Sequence, residues 1–372
     1  MADKILFVIN SLAGGGAERV FARIVAASES YLKGRELVVA LLDRETIAYP
    51  LPDWVRVEQF DCGHSMKASA GALRALVRRE RPAAMLSFLT RANVAAGFAT
   101  LGADIRWVAS ERVDTDAHLG RGPRAMPGRL LVRLTYPRAD CIIAVSQGVA
   151  EGLWAHFGVK RERTITVANP IDVISVEQQA AADPGIDVPD GCIVGIGRLV
   201  PNKNFELLIR AYAGSRATAK LLILGEGPER ARLAALSAEL GRGGDVLMPG
   251  FVANPHALLA RAGFFVLSSN AEGFPNALVE AMAIGTPVIA TNCASGPSEI
   301  LADQPRDRID GLTETEAGIL VPPNDEAAMA EAFALMEDGA RRERLGVGGK
   351  ARAADFSVDR AVRAYWQAID GC

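Results

Sequence analysis

Two glutamates on either side of a Gly-Phe-Pro-Asn turn, Glu272 and Glu280, have the type and spacing to bind a ligand. The apolar run Phe264–Leu267 before them predicts a buried parallel strand, and residues 275–278 predict the first turn of a helix with Pro275 at its first position. Open α/β sheets bind ligands at the carboxyl ends of their strands, where the free N–H groups of a helix N-terminus favour phosphate. The stretch therefore predicts a phosphate site.

The two carboxylates suit hydroxyl groups. An ionised carboxylate accepts hydrogen bonds and donates none, so Glu280 suits two neighbouring ribose hydroxyls and Glu272 suits a sugar hydroxyl. The alternative is that Glu272 is a solvated loop residue and that Glu280 lies on an exposed helix face.

A second turn, GRLVPNKN, begins at Gly197 and follows a strand predicted at 192–196. It places Arg198 and Lys203 five residues apart. A forked guanidinium and a compact ammonium that converge on one anion can neutralise a diphosphate without a metal. Two unrelated surface cations are the alternative interpretation.

Glycines also separate the first predicted strand, at 5–9, from the first predicted helix, at 17–27. Gly15 and Gly16 would let the backbone approach a ligand closely and direct N–H groups at an anion. A tight strand-to-helix turn is the alternative, because the G-x-G-x-x-G dinucleotide fingerprint is not cleanly present.

The elements that position these residues alternate along the chain, which indicates parallel sheets covered on both faces in doubly wound α/β domains. A length of 372 residues favours two domains. We predict an N-terminal domain at 1–172, a linker at 173–190, a C-terminal domain at 191–355 and a final helix at 356–372. The main predicted strands are 5–9, 36–42, 84–89, 105–110, 141–146, 164–168, 192–196, 221–224, 246–252, 264–267, 288–290 and 318–322.

Composition describes an ordinary globular protein, with 49% hydrophobic residues and a formal net charge of −3 that gives no reason to expect a nucleic-acid partner. The five cysteines are scattered without metal-ligand spacing, as in a reducing compartment. The first apolar run is a strand pattern and not a signal peptide, and no run is long enough to span a bilayer. We expect a cytoplasmic protein.

The stretch from Glu272 to Glu280 resembles the E-x7-E signature of family-4 retaining glycosyltransferases, and the likeness continues to Ala290 and through SGPSE, which ends at Glu299. The GRLVPNKN turn resembles the G-R-x-x-x-x-K-N pattern of the same family. The resemblance covers nearly the whole chain, strongest over 197–299 and weakest over 43–70. It implies the GT-B fold, in which two Rossmann-like doubly wound domains face each other across a cleft.

The resemblance also assigns roles to residues. It implies that Arg198 and Lys203 grip the diphosphate of the donor, and that the glycine loop at 15–16 faces the donor and the acceptor. The full set of predicted donor-binding residues is Gly15, Gly16, Gly197, Gly225, Glu226, Phe251, Val252, Gly273, Phe274, Pro275, Asn276, Ala277 and Glu280.

The predicted catalytic residues are Arg198, Lys203, Glu272, Glu111, Arg112 and His118. Many relatives carry a histidine beside a glutamate that corresponds to Glu111, directed at the reacting centre. Arg112 holds that position here, and His118 is a substitute from the same loop or a solvated side chain.

The implied reaction moves a sugar, with retained anomeric configuration, from a nucleotide-diphosphate sugar, expected to be a UDP-sugar, to a hydroxyl of a glycan or lipid-linked acceptor in cell-surface polysaccharide biosynthesis. We expect no cofactor, no metal site and no nucleic-acid partner. The alternatives are a sugar-nucleotide epimerase on the same fold and a non-catalytic protein that binds nucleotide-sugars.

The stretch from Ala117 to Ala139 contains five arginines and no acidic residue. A basic segment with interleaved apolar residues can lie on an anionic membrane surface, so we predict peripheral contact with the cytoplasmic face of an anionic inner membrane. The alternative is a core helix with a solvated basic face, in which Leu130 and Leu134 are buried. The arginines are Arg121, Arg124, Arg129, Arg133 and Arg138.

Overall fold

The computed structural model describes residues 3–120 and 122–371, and the chain divides into two compact units. The N-terminal unit comprises Met1–Pro170 and Val358–Cys372, and the C-terminal unit comprises Ile171–Ser357. Each unit has its own hydrophobic core around its own sheet.

The sheet of the N-terminal unit consists of β1 (Lys4–Ile9), β2 (Glu36–Leu41), β3 (Arg56–Gln59), β4 (Ala84–Phe88), β5 (Arg106–Glu111), β6 (Cys141–Ala144) and β7 (Thr164–Thr166). These described strands are all parallel, in the order β3-β2-β1-β4-β5-β6-β7. In β1, Ile5 pairs with Leu37 of β2 and with Ala84 of β4, and all three are buried. Strands buried on both faces are near-continuous apolar runs, which is why the sequence pattern located them.

Helices cover this sheet: α1 (Gly16–Ala26), α2 (Met66–Glu80), α3 (Thr90–Ala99), α4 (Thr115–Leu119), α5 (Met126–Thr135) and α6 (Gln147–Phe157). The last helix of the chain, Val358–Asp370, belongs to the same unit. Its Trp366 is buried, stacks on Tyr31 at 6.1 Å between ring centroids, and donates a 2.9 Å hydrogen bond from Nε1 to Ser28 Oγ. The buried aromatic body and the satisfied indole N–H together hold this helix in the core.

The C-terminal unit contains the helices α7 (Val173–Ala180), α8 (Phe205–Gly214), α9 (Arg230–Glu239), α10 (Pro255–Ala260), α11 (Asn276–Ile284), α12 (Pro297–Ala302), α13 (Glu326–Leu335) and α14 (Gly339–Ala353). Its strands are β8 (Ile193–Ile196), β9 (Leu221–Leu224), β10 (Val246–Gly250), β11 (Phe264–Leu267), β12 (Val288–Thr291), β13 (Thr313–Glu314) and β14 (Ile319–Val321). They lie in the order β10-β9-β8-β11-β12-β14-β13, parallel except for the edge pair of β13 and β14.

The structure differs from the sequence prediction at three places. The predicted linker at 173–190 begins with helix α7, which Asp172 caps by accepting a hydrogen bond from Ser175 N, and which belongs to the C-terminal unit. Pro275 is the N-cap of α11 and not its first helical residue. Strand β3, at the sheet edge, has the sequence RVEQ with a single apolar residue, so no apolar run revealed it.

Each sheet has one position where the strand order reverses, between β1 and β4 in the N-terminal unit and between β8 and β11 in the C-terminal unit. The loops that leave neighbouring strands there run to opposite faces of the sheet, so a crevice opens at the carboxyl ends, where open α/β sheets bind ligands. The loops after β8 and β11 are those in which the sequence places the two diphosphate-binding turns.

Candidate active site

Lys203 and Glu272 join the two loops that flank the reversal in the C-terminal unit. Lys203 Nζ lies 2.5 Å from Glu272 Oε1, and Ser269 Oγ donates a 2.6 Å hydrogen bond to the same oxygen. The Lys203 and Glu272 side chains are 25% and 10% exposed. Because an ammonium has three donors, the contact with Glu272 leaves two N–H groups for phosphate oxygens.

Asparagines hold these two loops together. Asn202 donates from Nδ2 to Ala271 O at 2.7 Å, and its carbonyl accepts from Asn270 N at 2.8 Å. Asn204 adopts the left-handed conformation (φ 47°) and donates from Nδ2 to Asn270 Oδ1 at 3.0 Å and to Asn324 Oδ1 at 2.9 Å. Asparagine tolerates this conformation better than most residues. The sequence motif includes Asn202 and Asn204, but their partner Asn270 was not predicted.

Arg198 is exposed on the loop after β8. Within 3–120 and 122–371, its guanidinium forms no ion pair and no side-chain hydrogen bond. The guanidinium is thus free to bind an anion in a bidentate manner.

The loop after β9 packs directly on the Arg198 loop. Gly225 has φ +138°, and a Cβ there would overlap the carbonyl oxygen of Gly197. Leu199 N donates to Glu226 O at 2.8 Å, which continues the contact. Both the backbone conformation and the close approach require glycine at position 225.

Helix α11 begins at the end of the loop that carries Glu272. No side chain caps its N-terminus, where Pro275 is the N-cap residue, so the dipole and first-turn N–H groups of this nine-residue helix are directed at the loop. Gly273, Phe274 and Pro275 are buried, whereas Asn276 and Ala277 are half-buried. This helix end suits a negatively charged group.

Glu280 is buried in α11, which excludes the alternative of an exposed helix face. Its Oε2 lies 3.3 Å from Nε2 of His256 on α10, and His256 Nδ1 lies 2.9 Å from Gln179 Oε1 on α7. The sequence missed His256 because a single histidine at the start of a short helix carries no recognisable spacing.

Two further predicted donor residues, Phe251 and Glu226, have solvent-exposed side chains. Phe251, directly after β10, is 80% exposed, and Val252 is half-buried. The Glu226 carboxylate lies 3.5 Å from Nη1 of Arg230, the first residue of α9. The exposed Phe251 ring offers a flat apolar face to a ligand.

In the N-terminal unit, Glu111 is fully buried at the end of β5. Its carboxylate accepts hydrogen bonds from Thr90 Oγ1 at 3.1 Å, Tyr136 OH at 2.5 Å and Arg112 N at 3.0 Å. Burial raises the pKa of the Glu111 carboxyl, although these donors and the nearby charge of His118 act in the opposite direction.

The other predicted residues of this unit have different surroundings. Arg112 is buried over the Phe88 ring and donates from Nη1 to Tyr365 OH at 2.5 Å, and burial lowers the pKa of its guanidinium. His118 is exposed on α4. Gly15 has extended backbone, and a Cβ there would overlap the Glu18 carboxylate, whereas Gly16 is the first residue of α1.

The structure therefore brings Arg198, Lys203, Glu272, Gly225 and the start of α11 to one edge of the C-terminal sheet. Glu280 lies deeper in α11. Glu111, Arg112 and His118 belong to the other unit and form one neighbourhood of their own at the end of β5. Among the described residues there is no cluster of three or more His, Cys, Asp or Glu side chains suited to a metal ion.

Comparison with known proteins matches both units to family models. The model described as Glycosyltransferase Family 4 matches residues 14–174, and the one described as Glycosyl transferases group 1 matches residues 177–352.

Two curated relatives illustrate the sequence similarity. One, from Campylobacter jejuni, is N-acetylgalactosamine-N,N'-diacetylbacillosaminyl-diphospho-undecaprenol 4-alpha-N-acetylgalactosaminyltransferase, which is 31% identical and aligns over 97% of this chain and 98% of its own length. The lipopolysaccharide core biosynthesis glycosyltransferase LpsE of Rhizobium meliloti is 32% identical, over 64% of this chain and 66% of its own.

Solved structures share the fold. The crystal structure of Anabaena HepE in complex with UDP superposes with a TM-score of 0.78 at 21% identity, covering 99% of this chain and 100% of HepE. The lipopolysaccharide outer core galactosyltransferase WaaB gives a TM-score of 0.74 at 20% identity, covering 99% of both chains.

Proposed function

This chain belongs to the family-4 glycosyltransferases and has their GT-B fold, and from that premise we propose that it transfers a sugar from a UDP-sugar to a hydroxyl of a glycan or lipid-linked acceptor, with retention of the anomeric configuration. The UDP complex of HepE supports the choice of nucleotide, and the Campylobacter jejuni relative, whose name contains a diphospho-undecaprenol sugar, supports a lipid-linked acceptor.

One observation carries the proposal: Lys203, Glu272 and the uncapped start of α11 meet beside the exposed Arg198 at one sheet edge. The chemical requirement of sugar transfer is a stabilised leaving diphosphate. Two cations and a helix dipole held in place before the reaction lower the energy of that charge without reorganisation, which is the largest single term in many enzymes.

The proposed step is balanced by the substrates themselves. The bond between the anomeric carbon and the diphosphate oxygen breaks, a bond from that carbon to the acceptor oxygen forms, and the acceptor proton passes to the departing diphosphate. Retention of the anomeric configuration requires the acceptor to approach the same face of the sugar ring that the diphosphate leaves. Arg198 and Lys203 therefore stabilise the departing diphosphate, which also takes the acceptor proton. Glu280 is assigned to the ribose hydroxyls and Glu272 to a sugar hydroxyl.

We further propose peripheral contact with an anionic lipid bilayer through the outer face of α5. Met126, Leu130 and Leu134, spaced four residues apart, are 65%, 56% and 56% exposed, so the leucines are not core residues. Exposed Arg124 and Arg133 flank this apolar stripe. An apolar face bordered by arginines matches the acyl and phosphate layers of such a surface.

Not all five arginines are available for this contact. Arg129 pairs with Asp116 at 2.5 Å and lies over the Phe157 ring, Arg138 donates to Gly97 O, and Arg121 lies outside the described residues. No described helix is long and apolar enough to cross a membrane. Arg133 donates from Nε to His156 O at 2.7 Å, so Arg124 and the terminal nitrogens of Arg133 are the cations proposed to act beside the α5 stripe.

The first prediction is that activity needs no added metal. Release of the nucleoside diphosphate from whichever donor is turned over, in a panel of UDP-, GDP- and ADP-sugars, should persist in EDTA, because Arg198 and Lys203 supply the positive charge that a metal ion would otherwise provide. Mass analysis of the products separates transfer to an acceptor from epimerisation. Activity that disappears in EDTA and returns only with Mg²⁺ or Mn²⁺ contradicts metal independence, and binding without turnover of any donor contradicts the proposed reaction.

The second prediction concerns the leaving group. Arg198→Ala and Lys203→Ala should each lower kcat on the order of 10²-fold, the scale of removing one preorganised donor from developing charge. The matched control is Arg216→Ala, which removes an exposed arginine from the same unit. Thermal unfolding verifies that each variant is folded. Near-native kcat in both variants would place the diphosphate elsewhere.

The third prediction concerns Glu280. Glu280→Ala should weaken UDP binding about 10- to 100-fold, because hydrogen bonds from ribose hydroxyls to a charged acceptor contribute ~1.5–3 kcal/mol. Isothermal titration of UDP against folded Glu280→Ala and Glu280→Gln measures the effect, with exposed Glu331→Ala as the control. Glu280→Gln retains an acceptor oxygen beside His256 and should lose less affinity. Unchanged UDP affinity in Glu280→Ala removes Glu280 from the site.

The fourth prediction is salt-sensitive membrane binding. Wild-type protein should co-sediment with vesicles of phosphatidylglycerol and phosphatidylethanolamine at low salt, and much less at high salt or with phosphatidylcholine alone, because salt screens charge over the Debye length. Arg124→Glu and the double variant Leu130→Ser, Leu134→Ser should each reduce recovery in the pellet. Arg216→Glu and Ile174→Ser make the same changes on exposed residues of the C-terminal unit. Equal recovery for all variants contradicts docking through α5.

A further inference from the structure

A buried histidine lies beside the glutamate that is assigned to the ribose hydroxyls. His256, on the short helix α10, is 2% exposed, and its Nε2 lies 3.3 Å from Oε2 of Glu280 on α11. On the other side of the ring, Nδ1 lies 2.9 Å from Oε1 of Gln179 on α7. One imidazole thus joins three helices of the C-terminal unit, and neither the sequence motifs nor the relatives' names give it a role.

The partners of the ring determine which nitrogen donates. The Gln179 amide donates from Nε2 to Ser175 Oγ at 3.1 Å, which turns its oxygen toward His256. Because an amide oxygen accepts and never donates, Nδ1 of the histidine carries a hydrogen. Nε2 is buried and has no other hydrogen-bond partner among the described residues, so the Glu280 carboxylate is the acceptor within its reach. A hydrogen between Nε2 and Oε2 satisfies both atoms, whereas without it two lone pairs would oppose each other away from water.

Hydrogen bonds between the three helices keep this contact in place. Thr286, buried two residues after α11, donates from Oγ1 to Leu259 O of α10 at 2.8 Å. Asn254, the N-cap residue of α10, donates from Nδ2 to Gln179 O at 2.8 Å. The imidazole and the carboxylate therefore lie on helices that are fastened to each other.

Ribose recognition requires a carboxylate with one fixed orientation, because two neighbouring ring hydroxyls approach it from fixed directions. An ionised carboxylate has about four lone-pair sites, so Glu280 can accept from His256 and from hydroxyls at the same time. A binding side chain keeps its productive geometry when a second residue behind it restricts its rotation. The Glu280 side chain is 8% exposed, so a contact from inside the protein can supply that restriction.

We propose that His256 is a positioning residue for nucleotide recognition: it orients the Glu280 carboxylate so that the site selects a ribonucleoside diphosphate over its 2′-deoxy counterpart. This inference rests on the proposed function, because it takes the assignment of Glu280 to the ribose as given. Gln179 has an outer role, since by accepting from Nδ1 it fixes the ring plane and the nitrogen that faces Glu280.

The test compares two polar substitutions at one position. In His256→Gln, the amide nitrogen is as many bonds from the backbone as Nε2, so a donor toward Glu280 is kept. In His256→Asn, the amide reaches only the position of Nδ1. Isothermal titration measures Kd for UDP and for 2′-deoxy-UDP, and thermal unfolding verifies that each variant is folded.

Wild-type protein should prefer UDP. His256→Asn should weaken UDP binding about 10-fold, the lower end of the effect of losing hydrogen bonds to a charged acceptor, and should narrow the preference over 2′-deoxy-UDP. His256→Gln should retain most of the affinity and of the preference. The matched control, His156→Asn, makes the same change at an exposed histidine of the N-terminal unit.

A double-mutant cycle shows whether His256 acts through Glu280. In the Glu280→Ala background, His256→Asn should cause no further loss of UDP affinity, because the carboxylate that it orients is gone. A loss that persists in that background indicates a purely structural role and overturns the inference. Equal losses in His256→Asn and His256→Gln overturn it as well.

Gln179→Ala decides the question if His256→Asn does not fold. Gln179 is exposed, so its truncation should leave the unit folded, and UDP binding should weaken about 2- to 10-fold, the effect of one neutral hydrogen bond. An undiminished preference for UDP in the folded variants of His256 and Gln179 overturns the inference and leaves the proposed function intact. Unchanged UDP binding in Glu280→Ala instead contradicts the ribose assignment in the proposed function, and the inference fails with it.

Discussion

Both units depend on one constraint: a parallel strand covered on both faces excludes charged side chains along its length, so they collect where the strand ends. All four residues of β11 are buried, and Ser268, Ser269 and Glu272 follow directly. All five residues of β4 are buried, and Arg91 follows after the short turn at Leu89. Because neighbouring parallel strands end at the same edge, these residues meet there, and the reversal of strand order opens the crevice that they line.

The two edges differ in charge. At the C-terminal sheet, exposed Arg198 and the uncapped start of α11 make the edge positive, and Glu272 occupies one of the three donors of Lys203. At the N-terminal sheet, Arg91 pairs with Asp43, and the Glu45 carboxylate lies 3.8 Å from Nε2 of His64. The first edge is suited to a leaving diphosphate. In both, ion pairs and asparagine side chains hold the charged groups in place in advance, so little reorganisation accompanies binding.

A buried polar network connects the end of β5 to the helix with the exposed apolar stripe. Trp107 Nε1 donates to Ser87 Oγ at 2.9 Å, Ser87 Oγ donates to Asn93 Oδ1 at 2.7 Å, and Asn93 Nδ2 donates to Tyr136 OH at 3.1 Å. Tyr136, directly after α5, in turn donates to Glu111. Buried networks of this kind rigidify when every member is satisfied. Glu111 thus anchors α5 to the sheet, and its assignment to catalysis stays a prediction.

The sequence by itself determined the two doubly wound sheets, because apolar runs, glycine turns and helix patterns are properties of neighbouring residues. It also predicted Arg198, Lys203, Glu272 and Glu280 as site residues, since the spacing of their motifs is local. Tertiary structure alone decided which groups meet. The Lys203–Glu272 pair joins residues 69 positions apart, and the Arg91–Asp43 pair joins residues 48 apart.

Tertiary structure also decided which faces are buried: it placed Glu280 inside the C-terminal unit beside His256, and left Leu130 and Leu134 on the surface. A periodic pattern specifies that a helix has an apolar side, but that side is covered only if another element packs against it. Such packing depends on contacts between distant parts of the chain, which no local pattern contains.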